Sequence, residues 1–250
     1  MNKARTWLEL DTDAYINNLV QLKKLAGNCK LAVVLKSNAY GHGMINLAQI
    51  SDKIDFVEYI CAAGINDALQ MRRAGVTKKL MVLSYLDDSF SEAIINNIDL
   101  VLYDYENAKE ISNLAFNLNK TANVQIKIDT GMTRFGVPHQ SAIEFIQKVK
   151  TLSNLNITGV FTHLCDTDSS DLSYTNYQLN NFDKVLDSLE QLNINIPYRH
   201  AYASGAISFL RNHRHTMVRV GGLIYGMYKS ELHKQRVLSK DLSIKLTSIM

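Results

Sequence analysis

The sequence predicts an α/β protein folded as a (β/α)8 barrel, the TIM barrel. Eight short and almost continuously apolar runs occur along the chain, which is typical of strands buried on both faces. Amphipathic segments of helical period separate these runs, and 250 residues are enough for eight strand–helix units. A doubly wound open sheet is the alternative, but no G-x-G-x-x-G signature follows the first strand.

The predicted elements begin with a strand at residues 5–10, after which Asp11 or Thr12 can cap a helix at 14–25. The barrel strands are predicted at residues 31–35, 56–63, 80–85, 100–103, 124–128, 157–164, 199–203 and 218–224. Helices between them are predicted at residues 66–74, 91–98, 106–118, 141–152 and 176–192. We expect one face of the last helix to pack on the barrel, with Tyr177, Phe182, Val185, Leu186 and Leu189.

The two ends of the chain do not fit inside this barrel. Residues 5–10 and the tail at 238–250 both alternate between apolar and polar side chains in the manner of strands. We expect residues 11–235 to form the barrel and residues 1–10 to form a strand that pairs with a C-terminal β domain. Residues 236–250 would be the start of that domain, which the sequence otherwise lacks.

Composition and charge exclude several classes of function. The 27 basic and 24 acidic residues give a formal charge of +3, which is too balanced for a nucleic-acid binder. No stretch approaches the roughly 20 apolar residues of a membrane helix. Cys29, Cys61 and Cys165 are widely spaced and form no metal-ligand pattern, which predicts no metal site and a reducing, cytoplasmic location.

Residues able to do chemistry cluster where the predicted strands end, which is where TIM barrels place their active sites. Lys36 ends the first barrel strand, and desolvation there would favour its neutral, nucleophilic amine. Arg134 lies on a glycine-flanked loop after the fifth strand, and His163 ends the sixth. Alternatively, the Lys36 side chain reaches solvent, Arg134 is an exposed loop charge and His163 has a structural role.

The last two loops carry the features of a phosphate site. Ser204 lies beside Gly205 after the seventh strand, and Gly221 and Gly222 follow Arg219 after the eighth. Backbone N–H groups exposed by glycine and a serine hydroxyl are common phosphate ligands in barrels. We therefore expect a phosphorylated ligand, and because arginine stays charged, any ring nitrogen that Arg219 contacts would stay unprotonated.

Four segments together resemble the alanine racemase family of pyridoxal-phosphate enzymes: KSNAYGHG at 36–43, DTGMTRFG at 129–136, THL at 162–164 and VRVGGLIYG at 218–226. Their order and spacing agree with that family, but only with the barrel of a typical member. The resemblance implies a racemase that interconverts L- and D-alanine, or serine, supplies D-alanine for cell-wall precursors and forms a homodimer through the β domain. The alternative is a stand-alone barrel that binds pyridoxal phosphate for cofactor handling.

The resemblance also implies a role for each site residue. Lys36 would form the internal aldimine and act as the base on one face of the substrate, and the phosphate would be bound by Tyr40, Ser204, Gly221, Gly222 and Tyr225. Arg219 would bind the pyridine nitrogen with His163 orienting it, which makes the ring a weaker electron sink and favours racemisation. Arg134 would contact the phenolic oxygen and the substrate carboxylate, and Lys127 matches a position that is often carbamylated.

Racemisation needs a second base on the opposite face, and the resemblance places it on the partner's C-terminal domain, as a tyrosine. Tyr85, Tyr103, Tyr202 and Tyr225 lie near predicted strand ends, but none is on a segment expected to reach that face. A general acid–base group contributes about 10²- to 10⁴-fold to a rate. We therefore expect this chain to bind pyridoxal phosphate and to racemise poorly by itself.

Overall fold

A computed structural model of the protein describes residues 7–84, 86, 89–209, 214–240 and 242–249. The strands are β1 (Glu9–Leu10), β2 (Lys30–Val34), β3 (Val57–Ala62), β4 (Lys79–Val82), β5 (Ile98–Leu102), β6 (Ala122–Asp129), β7 (Val137–Pro138), β8 (Leu155–Phe161), β9 (Tyr198–His200), β10 (Met217–Val220) and β11 (Ser248–Ile249). The α-helices are α1 (Thr12–Ala26), α2 (Met44–Asp52), α3 (Ile65–Arg73), α4 (Phe90–Ile95), α5 (Tyr105–Asn117), α6 (Ala142–Lys150), α7 (Ser173–Gln191) and α8 (Glu231–Leu238).

Eight of the described strands form a parallel, nearly closed barrel. Pairing runs from β10 through β2, β3, β4, β5, β6 and β8 to β9. The ring closes between β9 and β10 through a bridge that joins Ala203 to Arg219, where the Arg219 amide donates to the Tyr202 carbonyl at 3.0 Å. This closure confirms the predicted (β/α)8 barrel, since an open sheet would leave its two edge strands apart.

Helices pack their apolar faces on the outside of the barrel. In α1, Asp11 is the N-cap, and its carboxylate accepts from the Ala14 amide at 2.8 Å. In α7, Phe182 and Leu186 are buried as predicted, but the prediction for Tyr177 is wrong, because its side chain is half exposed and stacks on Tyr174. Five residues turn an α-helix through about 1.4 turns, so Tyr177 lies far around the helix from Phe182.

Two element boundaries differ from the prediction for local reasons. The helix expected at 91–98 ends at Ile95, because Asn97 adopts a left-handed conformation and Ile98 begins β5. The last barrel strand, expected to reach residue 224, ends at Val220, where the chain turns into a 3₁₀ helix at Gly222–Tyr225. Tyr85, expected at the end of the third strand, lies outside the described residues.

The two ends of the described chain meet in a short antiparallel ribbon, in which Leu10 pairs with Ser248. Residues 5 and 6 of the predicted first strand lie outside the described residues. Asn18 of α1 is buried and anchors the tail, donating to the Lys245 carbonyl at 2.7 Å and accepting from its amide at 2.9 Å. The expected boundary at 235–236 falls inside α8, and the assignment of both ends to a further β domain stays a prediction.

Among the described helices, none combines the length and the apolar character needed to cross a membrane.

Candidate functional site

A cavity of about 440 Å³ opens where the barrel strands end. Its walls contain most of the residues that the sequence singled out, namely Lys36, Tyr40, Lys127, Arg134, His163, Ser204, Arg219, Gly221 and Gly222. Tyr225 is not one of the described lining residues; it is buried beside the cavity. Side chains from five separate strand ends therefore converge on one space.

The cavity is strongly cationic. Lys36, Lys127, Arg134, Arg219 and Lys229 all line it, and none of the lining residues that the structure describes carries a carboxylate. Several positive charges facing one cavity raise the local concentration of anions. The chemistry of the donors thus fits a small ligand with more than one anionic group.

Lys36 is followed by a left-handed turn. Residues 37–40 all have φ between 52 and 56°, a conformation that costs about 1–2 kcal/mol for each L-residue. The Asn38 carboxamide offsets part of this cost by accepting from the Met44 amide at 2.8 Å. The turn directs Lys36 and Tyr40 to the same cavity, with the Lys36 Nζ 5.7 Å from the centre of the Tyr40 ring.

The environment of Lys36 differs from the one expected. Its side chain is exposed at the cavity opening instead of being desolvated at the end of the apolar strand. The reason is that β2 ends at Val34, so Lys36 already belongs to the turn above the barrel.

Tyr40, Ser204 and Gly221 form a cradle on one side of the cavity. The Gly221 amide donates to the Ser204 hydroxyl at 2.8 Å, and a Cβ on Gly221 would lie 2.5 Å from the Tyr40 hydroxyl. Glycine is therefore required for this approach. Behind the cradle, the Tyr225 ring lies 5.3 Å from the Tyr40 ring and stacks on His42 at 4.2 Å, and burial raises the pKa of Tyr225.

Arg219 is held from below by acceptors of the barrel interior. Its guanidinium is 3% exposed and donates to the His200 Nδ1, to the Thr162 carbonyl at 2.7 Å and to the Ala201 carbonyl at 3.2 Å. Burial lowers the pKa of Arg219 to about 10, which leaves it charged at neutral pH. The sequence predicted that His163 orients Arg219. The His163 Nδ1 lies 3.5 Å from the Arg219 guanidinium, and the His200 Nδ1 makes the closer contact.

A chain of hydrogen bonds continues from Arg219 into the barrel. The His200 Nε2 lies 2.8 Å from the Gln125 Oε1, and the Gln125 Nε2 donates to Asp99 at 3.1 Å. Because arginine can only donate, His200 must present the unprotonated Nδ1 and carry its proton on Nε2. Gly159 leaves the space for this chain, since a Cβ there would lie 2.4 Å from the Gln125 Oε1.

Lys127 and His163 lie in the same cationic environment. Burial and the charges of Arg134 and Arg219 lower the pKa of Lys127 to about 7, and its Nζ lies 3.8 Å from the centre of the Phe135 ring. Burial, followed by the charges of Arg219 and Lys127, lowers the pKa of His163 well below its usual value. His163 is therefore neutral, and Lys127 is partly neutral, near pH 7.

Arg134 is carried by a loop with a defined shape. The Asp129 carboxylate accepts from the Gly131 amide at 3.0 Å and from the Thr133 amide at 3.1 Å. Gly136 has φ of 136°, and a Cβ there would lie 2.8 Å from the Asp129 amide. This loop places the exposed Arg134 guanidinium 4.8 Å from the centre of the Phe135 ring at the cavity.

The other tyrosines that the structure describes are not among the residues that line the cavity. Tyr103 packs on Phe135 with ring centres 5.5 Å apart, and Tyr202 is buried with its edge against His215. Tyr40 is the tyrosine that the described lining contains. Among the described candidates, Tyr103, Tyr202 and Tyr225 are therefore not found on the cavity wall.

Sequence reasoning did not single out His200, Lys229 or His233. His200 carries a signal that could have found it, because it is a polar residue inside a short apolar run that ends at the cavity. Lys229 and His233 lie after β10, the last strand of the barrel, and reach the cavity because the chain folds back over it. No periodicity in the sequence indicates such a return.

The barrel and its cationic, glycine-lined mouth define a class, that of TIM-barrel proteins with a site for a small anionic ligand. Residues 10–229 match the family model described as "Alanine racemase, N-terminal domain". The chain is 36% identical to an alanine racemase of Methanococcus maripaludis and 36% identical to one of Clostridium tetani, over 96% and 97% of its own length. The chain belongs to the alanine racemase family.

A solved alanine racemase of Clostridium difficile 630, in complex with cycloserine, superposes on 99% of the chain with a TM-score of 0.92 and 31% identity. The chain spans 65% and 64% of the two relatives and 68% of that solved chain. The shared part is the barrel with its cavity.

Proposed function

We propose that this chain is the cofactor-binding barrel of an isomerase that uses pyridoxal phosphate to interconvert L- and D-alanine. The observation that supports this most is the buried, charged Arg219 at the floor of a cavity whose described lining has no carboxylate. Such a cavity suits a cofactor with a phosphate and an amino-acid substrate with a carboxylate. D-alanine for cell-wall precursors would be the product, and serine is a second possible substrate.

The residues present fit the cofactor. Tyr40, Ser204 and the Gly221–Gly222 backbone would hold its phosphate in the cradle that a Cβ on Gly221 would fill. Lys36 would hold its aldehyde carbon, and Arg219 would contact its ring nitrogen. Tyr225 would act indirectly, by supporting Tyr40 from behind.

When bound, pyridoxal phosphate makes the α-proton of an amino acid acidic, because the ring delocalises the electron pair that the proton leaves on the α-carbon. Lys36, which is exposed at the opening, would take this proton on one face and return it. Arg219 has no carboxylate partner among the lining residues and donates to the neutral His200, so it would keep a ring nitrogen that it contacts unprotonated. Arg134 would bind the substrate carboxylate from its loop.

Lys127 suits carbamylation. Its pKa of about 7 gives a neutral amine near physiological pH, which can add carbon dioxide and release a proton. The carbamate would carry a negative charge next to Arg134 and Arg219, the two cations that depress the pKa of Lys127. We expect it to fix the position of Arg134.

A second candidate function is a stand-alone barrel that binds pyridoxal phosphate without racemising an amino acid. The described Tyr103, Tyr202 and Tyr225 do not line the cavity. Among the residues considered as bases, only Lys36 therefore lines the described cavity, and no base is found for the opposite face of the substrate. A homodimer completed by a C-terminal β domain would supply the missing base. That dimer and a cytoplasmic location remain predictions.

The test has two stages. Pyridoxal phosphate is added, borohydride fixes any covalent bond, and mass spectrometry locates the modified lysine, with Lys36→Ala and the exposed Lys53→Ala compared. D/L-alanine interconversion is then measured with and without the C-terminal domain of a relative. Attachment at Lys36 with activity restored by the domain supports the racemase; attachment without activity in either case supports the binder; attachment elsewhere contradicts both.

A further inference from the structure

Lys229 is a cation at the cavity that no proposed contact uses. It lines the cavity together with Ser204, Gly205, Gly221 and Gly222, on the side of the phosphate cradle. Its stem lies against Gly205, where a Cβ would meet the Lys229 Cδ at 3.4 Å. The lysine therefore borders the backbone segment that would bind the phosphate.

His233 fixes the backbone of Lys229 relative to Ser204. The Lys229 amide donates to the His233 Nδ1 at 3.1 Å, and the His233 Nε2 lies 3.0 Å from the Ser204 carbonyl. With Nδ1 as the acceptor, the proton is on Nε2 and is donated to that carbonyl. His233 is 1% exposed, so this bridge is a built part of the site and not a surface contact.

The ammonium of Lys229 is held by weak partners. Its Nζ lies 3.3 Å from the Asp168 carboxylate and 3.4 Å from the Thr167 hydroxyl, and the lysine side chain is 47% exposed. Exposed ion pairs of this kind contribute little to stability, because water screens the charges. A lysine side chain rotates freely about its four-carbon stem, so a phosphate dianion in the cradle can compete with Asp168 for the ammonium.

We propose that Lys229 is a further phosphate-binding residue of the cavity, which Asp168 and Thr167 hold at the rim until the phosphate of the cofactor arrives. The proposal rests on the proposed function, because it names a residue of the same site. The backbone of Lys229 stays in place, and its ammonium exchanges the Asp168 carboxylate for a phosphate oxygen. Lys229 would thus add a mobile charge to a cradle otherwise made of hydroxyl and amide groups.

The test compares two probes that differ by the phosphate. Dissociation constants for pyridoxal phosphate and for pyridoxal are measured by absorbance titration in the wild-type chain, in Lys229→Met and in Lys234→Met. Lys234 is a matched control, since it pairs with Glu231 on the same helix at 3.7 Å and does not line the cavity. Hydrogen bonds to charged groups are stronger than neutral ones, so Lys229→Met should weaken the binding of pyridoxal phosphate about ten-fold or more.

Pyridoxal should bind equally well to all three proteins, and Lys234→Met should bind both probes like the wild type. Asp168→Asn should bind pyridoxal phosphate as well as the wild type or more tightly, because it removes the competitor. The inference is overturned if Lys229→Met weakens the binding of both probes alike or of neither. It is also overturned if Asp168→Asn weakens the binding of pyridoxal phosphate as much as Lys229→Met does. Failure of the wild type to bind pyridoxal phosphate would instead contradict the proposed function itself.

Discussion

Lys127 shows how neighbouring charges set the chemistry of a single side chain. It is buried between cations, and its pKa falls from 10.5 to about 7. Between these two pH values the unfolded chain binds a proton at Lys127 that the folded chain has lost. The free energy of unfolding therefore rises with pH across this window, by up to about 1.4 kcal/mol per pH unit from this residue.

Lys127→Met should abolish that contribution. Urea unfolding of both proteins at pH 7 and pH 9, in buffer free of carbon dioxide, should show the wild type gaining about 2 kcal/mol more than the variant over this interval. Lys150→Met, at an exposed lysine, serves as the control and should follow the wild type. Equal pH dependence in the wild type and Lys127→Met would show that Lys127 keeps an ordinary pKa in the folded state.

Gly221 is the residue on which the shape of the cradle depends. Gly221→Ala would place a Cβ 2.5 Å from the Tyr40 hydroxyl and should displace that ring. We expect weaker binding of pyridoxal phosphate by about ten-fold, the effect of one lost hydrogen bond to a charged group. The measurement is an absorbance titration.

Gly64→Ala is the matched control, because a Cβ at Gly64 has no neighbour within 4 Å and its φ of −128° suits alanine. Its affinity should equal that of the wild type. If Gly221→Ala also binds like the wild type, Tyr40 is not a phosphate ligand.

At the scale of elements, the left-handed turn after β2 stores strain next to Lys36. Ser37 is exposed with φ of 53°, so Ser37→Gly removes a steric cost of about 1–2 kcal/mol and adds about 0.5–1 kcal/mol of unfolded-state entropy. We expect this variant to be as stable as the wild type or more stable by up to about 1.5 kcal/mol.

The same substitution in a right-handed helix should have the opposite sign. Ser188 lies inside α7, where glycine costs about 0.5–1 kcal/mol, so Ser188→Gly should be less stable than the wild type. Thermal unfolding of both variants checks the contrast. Destabilisation of Ser37→Gly by as much as Ser188→Gly would mean that the turn is not left-handed.

The same elements show which parts of the site a sequence can predict. The barrel strands are predictable because both of their faces are buried, and their apolar runs mark where each one ends. Lys36, Ser204 and Arg219 could be placed by that rule, since each lies in the last strand residues or the loop that follows. The rule places a residue along the chain but does not give its burial. Lys36 was therefore placed correctly at the strand end, but it is exposed and not desolvated as expected.

Contacts that arise from closure of the barrel could not be predicted in this way. His200 contacts Arg219 because β9 and β10 are neighbours in the closed ring, where the bridge from Arg219 reaches Ala203, beyond the end of β9. Lys229 reaches the cavity because His233 ties its backbone to the Ser204 carbonyl. Both depend on contacts between distant segments that no local pattern encodes.

For the whole molecule, the segments that flank the ribbon of β1 and β11 carry apolar side chains to the surface. Trp7 is 63% exposed, Leu8 is 42% exposed and Leu246 is 69% exposed. The Trp7 indole donates to the Glu9 carboxylate at 3.1 Å and otherwise faces solvent. Since relatives are about half as long again as this chain, we expect a C-terminal β domain to cover this ribbon.

Trp7 is the single tryptophan of the sequence, so its fluorescence reports on this ribbon directly. Acrylamide should quench Trp7 efficiently in the chain by itself, and the C-terminal domain of a relative, added in trans, should protect it and shift its emission to shorter wavelength. A Trp7→Phe, Phe116→Trp chain moves the reporter to α5, where residue 116 is 66% exposed, and there the added domain should change nothing. Equal protection of both reporters would indicate non-specific association. Protection of neither would place the docking face elsewhere, because an indole left open to solvent cannot lie under an apolar interface.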